Sequence, residues 1–178
     1  MGVRWEEAVF AVFDDLEMQA EGLYLEDREG AVAALAEAAY AEVTLAGRLH
    51  AAQGATLRLL LNDGADVRGR LVRSGVGWAV LDAGRSDWLV RREAVVLVEG
   101  LGEASLPESS WPLTARLSVG SVLRRIATAR RPCVVRLCSG RQLEGVLTRV
   151  GADFVTVASG GSELVLPVSA VAAVQEIG

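Results

Sequence analysis

The chain has 178 residues, of which 51% are hydrophobic, and a net charge of −5. This is enough for one or two domains with cores of their own. No uncharged apolar stretch reaches the roughly 18 residues that a membrane span needs, and the acidic start Met1–Glu7 does not resemble a secretion signal. We therefore expect a cytoplasmic protein that does not bind membranes.

The charge is unevenly distributed along the chain. Residues 1–50 carry three arginines against eleven acidic residues, a net charge of −8, whereas residues 51–178 carry fifteen arginines against twelve acidic residues, a net charge of +3. The sequence contains no lysine. Because arginine supplies every basic side chain, its use reflects composition as well as function, and arginine alone is weak evidence for phosphate binding.

The first 50 residues predict an acidic helical hairpin. Apolar residues from Trp5 to Leu16 recur at three- and four-residue spacing, which is typical of one helix face. Gly22 follows this segment, at a place where helices tend to end. A second helix is expected to begin near Asp27 and to run to Leu49.

The rest of the chain contains a repeat with an offset of 76 residues. Residues 57–98 align without a gap on residues 133–174, so that Gly64, Gly69, Gly75 and Trp78 fall on Gly140, Gly145, Gly151 and Phe154. Such a repeat defines the folding unit. We expect Trp78 and Phe154, which share one repeat position, to be core residues.

Each repeat predicts five short antiparallel strands. The first repeat gives 57–61, 67–71, 78–81, 88–90 and 95–98, and the second gives 133–137, 143–147, 154–157, 164–166 and 171–174. Apolar residues alternate along these segments, and Asn62-Asp63-Gly64 and Ser139-Gly140 are typical hairpin turns. The glycines at 69 and 145 lie in mid-strand, where a bulge or bend helps a small barrel to close. A helix that contains Val119, Val122, Leu123 and Ile126 precedes the second repeat.

The repeats resemble the Sm-like family, in which a helix precedes five bent strands. The shared pattern is V-x-L-x-x-G-x-x-x-x-G-x-L, which here reads from Val135 to Leu147 and, with leucine in the first position, from Leu59 to Leu71. The resemblance implies two tandem Sm-like (SH3-like) five-stranded small barrels, RNA as a ligand, and units that meet edge to edge.

The family's RNA-binding positions are mostly changed in this chain. Gly75 and Gly151 stand where the family places an aspartate, and Ala79 and Val155 stand where it commonly places an asparagine. Before the last strand the second repeat has Pro167-Val168-Ser169, and only Arg91 and Arg92 of the first repeat are basic there. The resemblance therefore implies the fold but no uridine-type pocket.

The expected fold class is α+β, with an N-terminal helical hairpin followed by two tandem barrels. The predicted domains are the acidic hairpin at 1–50, the first barrel at 51–99, a linker at 100–114 that is rich in Gly, Pro and Ser, and a helix plus the second barrel at 115–178.

The densest run of positive charge lies between residues 115 and 149, where eight arginines face Glu144 alone. Basic residues gathered on one unit are typical of a phosphate-binding surface. Two other roles stay open: interaction with the helix dipole, and pairing with the acidic hairpin. The predicted nucleic-acid-binding residues are Arg116, Arg124, Arg125, Arg130, Arg131, Arg141, Arg149, Arg91 and Arg92.

No residue pattern indicates an enzyme. Cys133 and Cys138 are about 16 Å apart on one extended strand, too far for a disulfide, and a metal site would need a second Cys or His pair. His50 is the only histidine, so we expect it to be structural or exposed. We expect no cofactor, no metal and no catalytic residue.

The predicted function is a non-catalytic binding module, with RNA or another nucleic acid as the first choice of partner. The alternative is an assembly scaffold without a nucleic-acid ligand, in which barrel edges or the acidic hairpin contact a protein. Edge strands also favour a homo-oligomer.

Overall fold

The structure, a computed structural model, describes residues 31–32 and 34–177. The chain divides into two compact units, residues 1–43 and 44–178. In the first unit, the described residues 31–32 and 34–41 are helical, with exposed side chains such as Leu35 and Tyr40. The first helix of the expected hairpin lies outside the described residues.

The expected helix from Asp27 to Leu49 is wrong at its C-terminal end. The chain leaves the helix at Glu42, and a separate helix, α1 (Leu45–Ala51), begins after Thr44. The Thr44 side chain accepts a hydrogen bond of 3.0 Å from the Gly47 N–H, which is a typical N-cap. Helix α2 (Val119–Ala129) has the same type of cap, since Ser118 accepts from the Ser121 N–H.

Ten strands follow the repeat, as the sequence predicts. The first half contains β1 (Thr56–Leu61), β2 (Asp66–Ser74), β3 (Trp78–Asp82), β4 (Asp87–Arg91) and β5 (Val95–Glu99). The second half contains β6 (Pro132–Leu137), β7 (Gln142–Val150), β8 (Phe154–Ser159), β9 (Ser162–Pro167) and β10 (Val171–Glu176). Alternate residues of β1 are buried, because successive side chains of a strand point to opposite faces. Short 3-10 helices span Arg92–Ala94, Glu108–Ser110, Leu113–Arg116 and Val168–Ala170.

The structure contradicts the expected fold class of two separate five-stranded barrels. The described residues form one open ten-stranded antiparallel sheet in the order β5-β1-β2-β3-β4-β10-β6-β7-β8-β9. Instead of closing within its own half, β4 pairs with β10 of the other half, with Ala173 opposite Val90 and Val174 opposite Leu89. We call this β4–β10 contact the seam. It leaves β5 and β9 at the two ends of the sheet.

The 76-residue repeat survives in the strand register. Leu57 lies opposite Gly69 in the first half, and Cys133 lies opposite Gly145 in the second. Register shifts occur at the matching pairs Leu71/Arg73 and Leu147/Arg149. The register at Gly69 and Gly145 is regular, so these glycines are not bulges. A Cβ on Gly69 would lie 2.5 Å from the Asp82 carbonyl oxygen, so Gly69 permits a close approach of β3.

Two hydrophobic clusters join the halves across the seam. Leu123 and Ala127 of α2 pack in a cluster that contains Trp78 and Leu89 of the first half, and Ala173 of β10 belongs to the cluster of the first half. The expectation that Phe154 is a core residue is wrong, because 40% of it is exposed, whereas Trp78 is buried as predicted. In the described part of the chain, no helix is long and apolar enough to cross a bilayer.

The segment between the halves packs on α1. Trp111 is buried with Ala46 and Ala115, and its indole N–H donates to the Leu106 carbonyl at 3.0 Å. The Arg48 guanidinium donates to the Gly102 carbonyl at 2.7 Å. Residues 100–112, linker-like in composition, are therefore held in place by specific contacts.

Candidate functional site

Arg91, a predicted nucleic-acid contact, lies in the seam. Its guanidinium donates to the carbonyl oxygens of Val171 and Ser169, both at 2.7 Å, and only 14% of its side chain is exposed. Two charge-assisted hydrogen bonds to the opposite half make Arg91 a clamp between the halves. Its donors are therefore directed at protein rather than at a ligand.

A second arginine crosses the seam, and the sequence did not single it out. Arg136 Nε donates to Asp63 Oδ2 at 2.6 Å, with 14% of the Arg136 side chain and none of the Asp63 carboxylate exposed. The same guanidinium lies 5.8 Å from the ring centroid of Trp88 on β4. Arg136 and Asp63 therefore form a buried ion pair that joins β6 to the β1–β2 turn.

Three other predicted site residues have partners within the chain. Arg92 pairs with Glu93 at 3.0 Å, Arg116 donates to the Ser109 carbonyl at 2.8 Å, and Arg131 pairs with Glu176. The hydrogen bond to Glu176 raises the pKa of Arg131 above its ordinary value. The charges of Arg92 and Arg131 are thus partly neutralised by neighbours.

Helix α2 brings three of the predicted arginines towards one another. Arg124 Nη2 donates to the Gly151 carbonyl at 3.2 Å, which places it at the loop that follows Arg149. Arg125 is the next residue along α2 and faces Val80 of the first half across a cavity. Arg125 and Arg149 are exposed, without a hydrogen-bonding or acidic partner in the described residues. We call Arg124, Arg125 and Arg149 the α2 arginine cluster.

The structure does not bring all nine predicted arginines together. Arg141 lies in the β6–β7 turn, where its carbonyl accepts from the Leu137 N–H, and Gly140 of that turn faces the Asp63 turn. Arg130 follows α2 in a left-handed conformation with φ of 49°. Both are exposed, but no contact links either of them to the α2 arginine cluster.

A cavity of about 550 Å³ opens where α1, β2, β3, residues 112–117 and α2 meet. Its polar lining comes from His50, Gln53, Arg73, Ser74, Thr114 and Arg125, and its aromatic lining comes from Trp78. We call it the His50 cavity. No Asp or Glu lines it among the described residues, although the chain is acidic overall.

The walls of the His50 cavity are fixed by hydrogen bonds and stacking. The His50 ring stacks on Trp111 with centroids 4.5 Å apart, and its Nδ1 lies 2.9 Å from the Gln53 amide nitrogen and 3.4 Å from Ser74 Oγ. The Trp78 indole N–H donates to the Leu117 carbonyl at 2.8 Å. Gly75 lets the Trp78 ring lie against the β2–β3 turn, since a Cβ there would be 2.6 Å from the ring.

Sequence reasoning missed Arg73, although a signal was present. Arg73 is the repeat equivalent of Arg149, one of the predicted site residues. It lines the His50 cavity together with Arg125, and it has no partner in the described part of the chain. The role of His50 as a packed residue agrees with its stack on Trp111.

A second cavity of about 370 Å³ lies between α2 and the seam, and Val80, Val122 and Arg125 line both cavities. This second cavity is mainly apolar and reaches Cys133, whose thiol pKa is raised by burial. Cys133 and Cys138 are both free.

The ends of the sheet expose apolar side chains. On β5, Val96 is 64% and Leu97 is 44% exposed, and on β9, Val165 is 65% exposed. The repeat equivalents of the two β5 residues, Ala172 and Ala173, are at most 1% exposed because they lie in the seam.

The described residues contain no group of three or more His, Cys, Asp or Glu side chains that would hold a metal ion. No family model matches the chain, and no curated protein matches its sequence.

Proposed function

We propose that this protein is a non-catalytic assembly module whose copies join end to end through β5 of one copy and β9 of the next. The observation that carries the proposal is the seam. There, β10, the repeat equivalent of β5, pairs with β4, whose repeat equivalent is β9. Each copy therefore has two ends whose repeat equivalents already pair within the chain.

The repeat predicts the register of the contact between copies. In the seam, Ala173 lies opposite Val90, Val174 opposite Leu89 and Gln175 opposite Trp88. Applying the offset of 76 residues to these pairs gives Leu97 opposite Leu166, Val98 opposite Val165, and Glu99 opposite Leu164, with the two members on different copies.

Burial and backbone pairing both favour this contact. An edge strand has unpaired N–H and C=O groups that a neighbouring strand can satisfy. Covering Val96, Leu97 and Val165 would remove exposed apolar surface from water, at about 25 cal/mol per Å².

The contact between copies should be weaker than the seam, because its clamps are missing. Pro167 stands at the repeat position of Arg91, Leu60 at that of Arg136, and Ser139 at that of Asp63. Neither the hydrogen bonds of Arg91 nor the buried ion pair has an equivalent there. We therefore expect association that depends on protein concentration. Because the contact joins unlike surfaces, it forms a ring if it closes and a chain if it does not.

Blocking one end at a time tests the proposal. Leu97→Glu should block β5 and Val165→Glu should block β9, because a charge on an edge strand prevents pairing. Each variant alone should be monomeric in sedimentation velocity. An equimolar mixture should form dimers and nothing larger, because one open β9 and one open β5 remain.

The control is Leu113→Glu, which changes a residue that is 81% exposed and lies off the sheet. This variant should assemble like the unmodified chain. A native chain that stays monomeric at all concentrations would overturn the proposal. So would dimers of Leu97→Glu alone, because those would require like ends to pair.

A second candidate function is RNA binding, which the α2 arginine cluster favours. Three guanidinium groups gathered by one helix, two of them without acidic partners, make a plausible phosphate-binding surface. The original set of nine arginines is thereby reduced, since Arg91 is buried in the seam and Arg92 and Arg131 have carboxylate partners.

The test replaces Arg124, Arg125 and Arg149 with Gln and measures the affinity for single-stranded RNA by fluorescence anisotropy across salt concentrations. If all three contact phosphates, the log–log salt slope should fall by about 2, since each contact contributes about 0.7. The control triple Arg68→Gln, Arg85→Gln and Arg141→Gln removes the same charge from exposed positions without partners in the described residues. Equal losses in both triples, or no RNA binding by the native chain at low salt, would contradict this function.

A cytosolic location forms part of the proposal and is consistent with two free thiols. The relationship to the Sm-like family also stays a prediction. It is supported by the identical order of strands in the two halves.

A further inference from the structure

We infer that the His50 cavity is a binding site for a nucleotide, with the phosphate held between Arg73 and Arg125 and the organic part against Trp78. The volume of about 550 Å³ falls within the roughly 300–1,000 Å³ that is usual for small-molecule sites. This inference does not rest on end-to-end assembly, because the cavity lies away from β5 and β9.

The first step is the difference between Arg73 and its neighbours in the first half. Arg58 pairs with Asp66 at 2.6 Å and with Glu99 at 3.1 Å, and Arg70 pairs with Asp82 at 3.3 Å. The hydrogen bond from Arg58 lowers the pKa of Asp66. Arg73, by contrast, has no such partner in the described part of the chain. The carboxylates of this half are thus used elsewhere, and Arg73 keeps its donors available.

The second step is the second guanidinium. Arg125 reaches the same cavity from α2 and also has no partner within the described residues. Two arginines at a cavity without a lining carboxylate favour an anion, and guanidinium groups match the geometry of phosphate oxygens. An acidic or neutral apolar ligand without such oxygens would leave these donors unused.

The third step concerns the organic part of the ligand. Trp78 supplies a fixed aromatic wall, because its indole N–H is bonded to Leu117 and its ring lies against Gly75. Gln53, Ser74 and Thr114 add amide and hydroxyl groups that can bond ribose or base atoms. An aromatic surface with polar groups beside a phosphate site suits a nucleotide better than inorganic phosphate.

Calorimetric titration tests the inference with four probes, namely inorganic phosphate, ribose 5-phosphate, uridine monophosphate and adenosine monophosphate. We expect affinity to rise from inorganic phosphate to ribose 5-phosphate and to be highest for a mononucleotide. Tryptophan fluorescence should change as the nucleotide binds, because Trp78 lines the cavity. Absence of binding by every probe at millimolar concentration would overturn the inference, and equal affinity for phosphate and nucleotide would overturn the nucleotide assignment.

Repeat-matched variants locate the site. Arg73→Gln should weaken nucleotide binding by about tenfold or more, as expected for the loss of hydrogen bonds to a charged group. Arg149→Gln changes the repeat equivalent of Arg73, which lies outside the cavity, and should alter the affinity less than twofold. Equal effects of the two variants would place the bound nucleotide elsewhere.

A second pair of variants removes the dependence on Arg73. Thr114 is exposed on a 3-10 helix and lines the cavity, whereas its neighbour Leu113 does not. Thr114→Glu should abolish nucleotide binding by placing a carboxylate beside the phosphate, and Leu113→Glu should leave it unchanged. Because Arg149→Gln weakens only the RNA surface, RNA binding and nucleotide binding can fail independently.

Discussion

At the scale of single residues, two arginines decide how the halves are joined. Arg91 donates to two carbonyl groups of the other half, and Arg136 pairs with the buried Asp63. In the sequence, Arg91 and Arg136 look like other members of a basic stretch. Their partners are more than 70 residues away along the chain, so only the tertiary structure separates these structural arginines from exposed ones such as Arg149.

Asp63→Asn should destabilise the protein by about 3–5 kcal/mol, because it leaves the Arg136 guanidinium buried without its anion. The free energy of unfolding in urea measures the loss. The double variant Asp63→Ser with Arg136→Leu introduces the residues found at the equivalent repeat positions, and it should recover part of the loss by removing both charges.

The matched control for this prediction is Asp66→Asn. Asp66 pairs with Arg58 on the surface, with 45% of its side chain exposed, so its substitution should cost clearly less. A loss for Asp63→Asn no greater than that for Asp66→Asn would show that the buried pair does not stabilise the seam.

At the scale of secondary-structure elements, the sequence predicts the strands well. Alternating apolar residues locate all ten strands, and the glycines of Asn62-Asp63-Gly64 and Ser139-Gly140 adopt the positive φ angles that their turns require. The helix near Thr44 was predicted less well. The Ala-rich stretch suits a continuous helix, but Thr44 caps a new one, since its side chain can bond the Gly47 N–H.

Gly69→Ala should destabilise the sheet by about 1–3 kcal/mol, because its Cβ would collide with the backbone of β3 at Asp82. Thermal or urea unfolding measures the change. Gly102→Ala is the control, since nothing lies within 4 Å of a Cβ there. If the two substitutions had equal effects, the close approach of β2 and β3 would not explain the glycine at position 69.

At the scale of the whole molecule, the seam changes the meaning of the repeat. Two closed barrels would be independent units, but the continuous sheet makes one half the pairing partner of the other. The hydrophobic clusters agree, because both contain residues from the two halves. The same arrangement leaves β5 and β9 without neighbours, which is why end-to-end assembly is the function that this geometry favours.

The sequence by itself determined the repeat, the positions of the strands and turns, and the arginine-rich stretch from which the α2 arginine cluster comes. These features depend on local spacing, and a period of two residues records which side chains face a core. The tertiary structure alone decided that β4 pairs with β10, that Arg91 and Arg136 serve the seam, that Phe154 is exposed, and that Arg73 shares a cavity with Arg125. The physical reason is that alternation specifies the buried face of a strand but not the strand beside it. Pairing is settled by contacts between residues far apart in the chain.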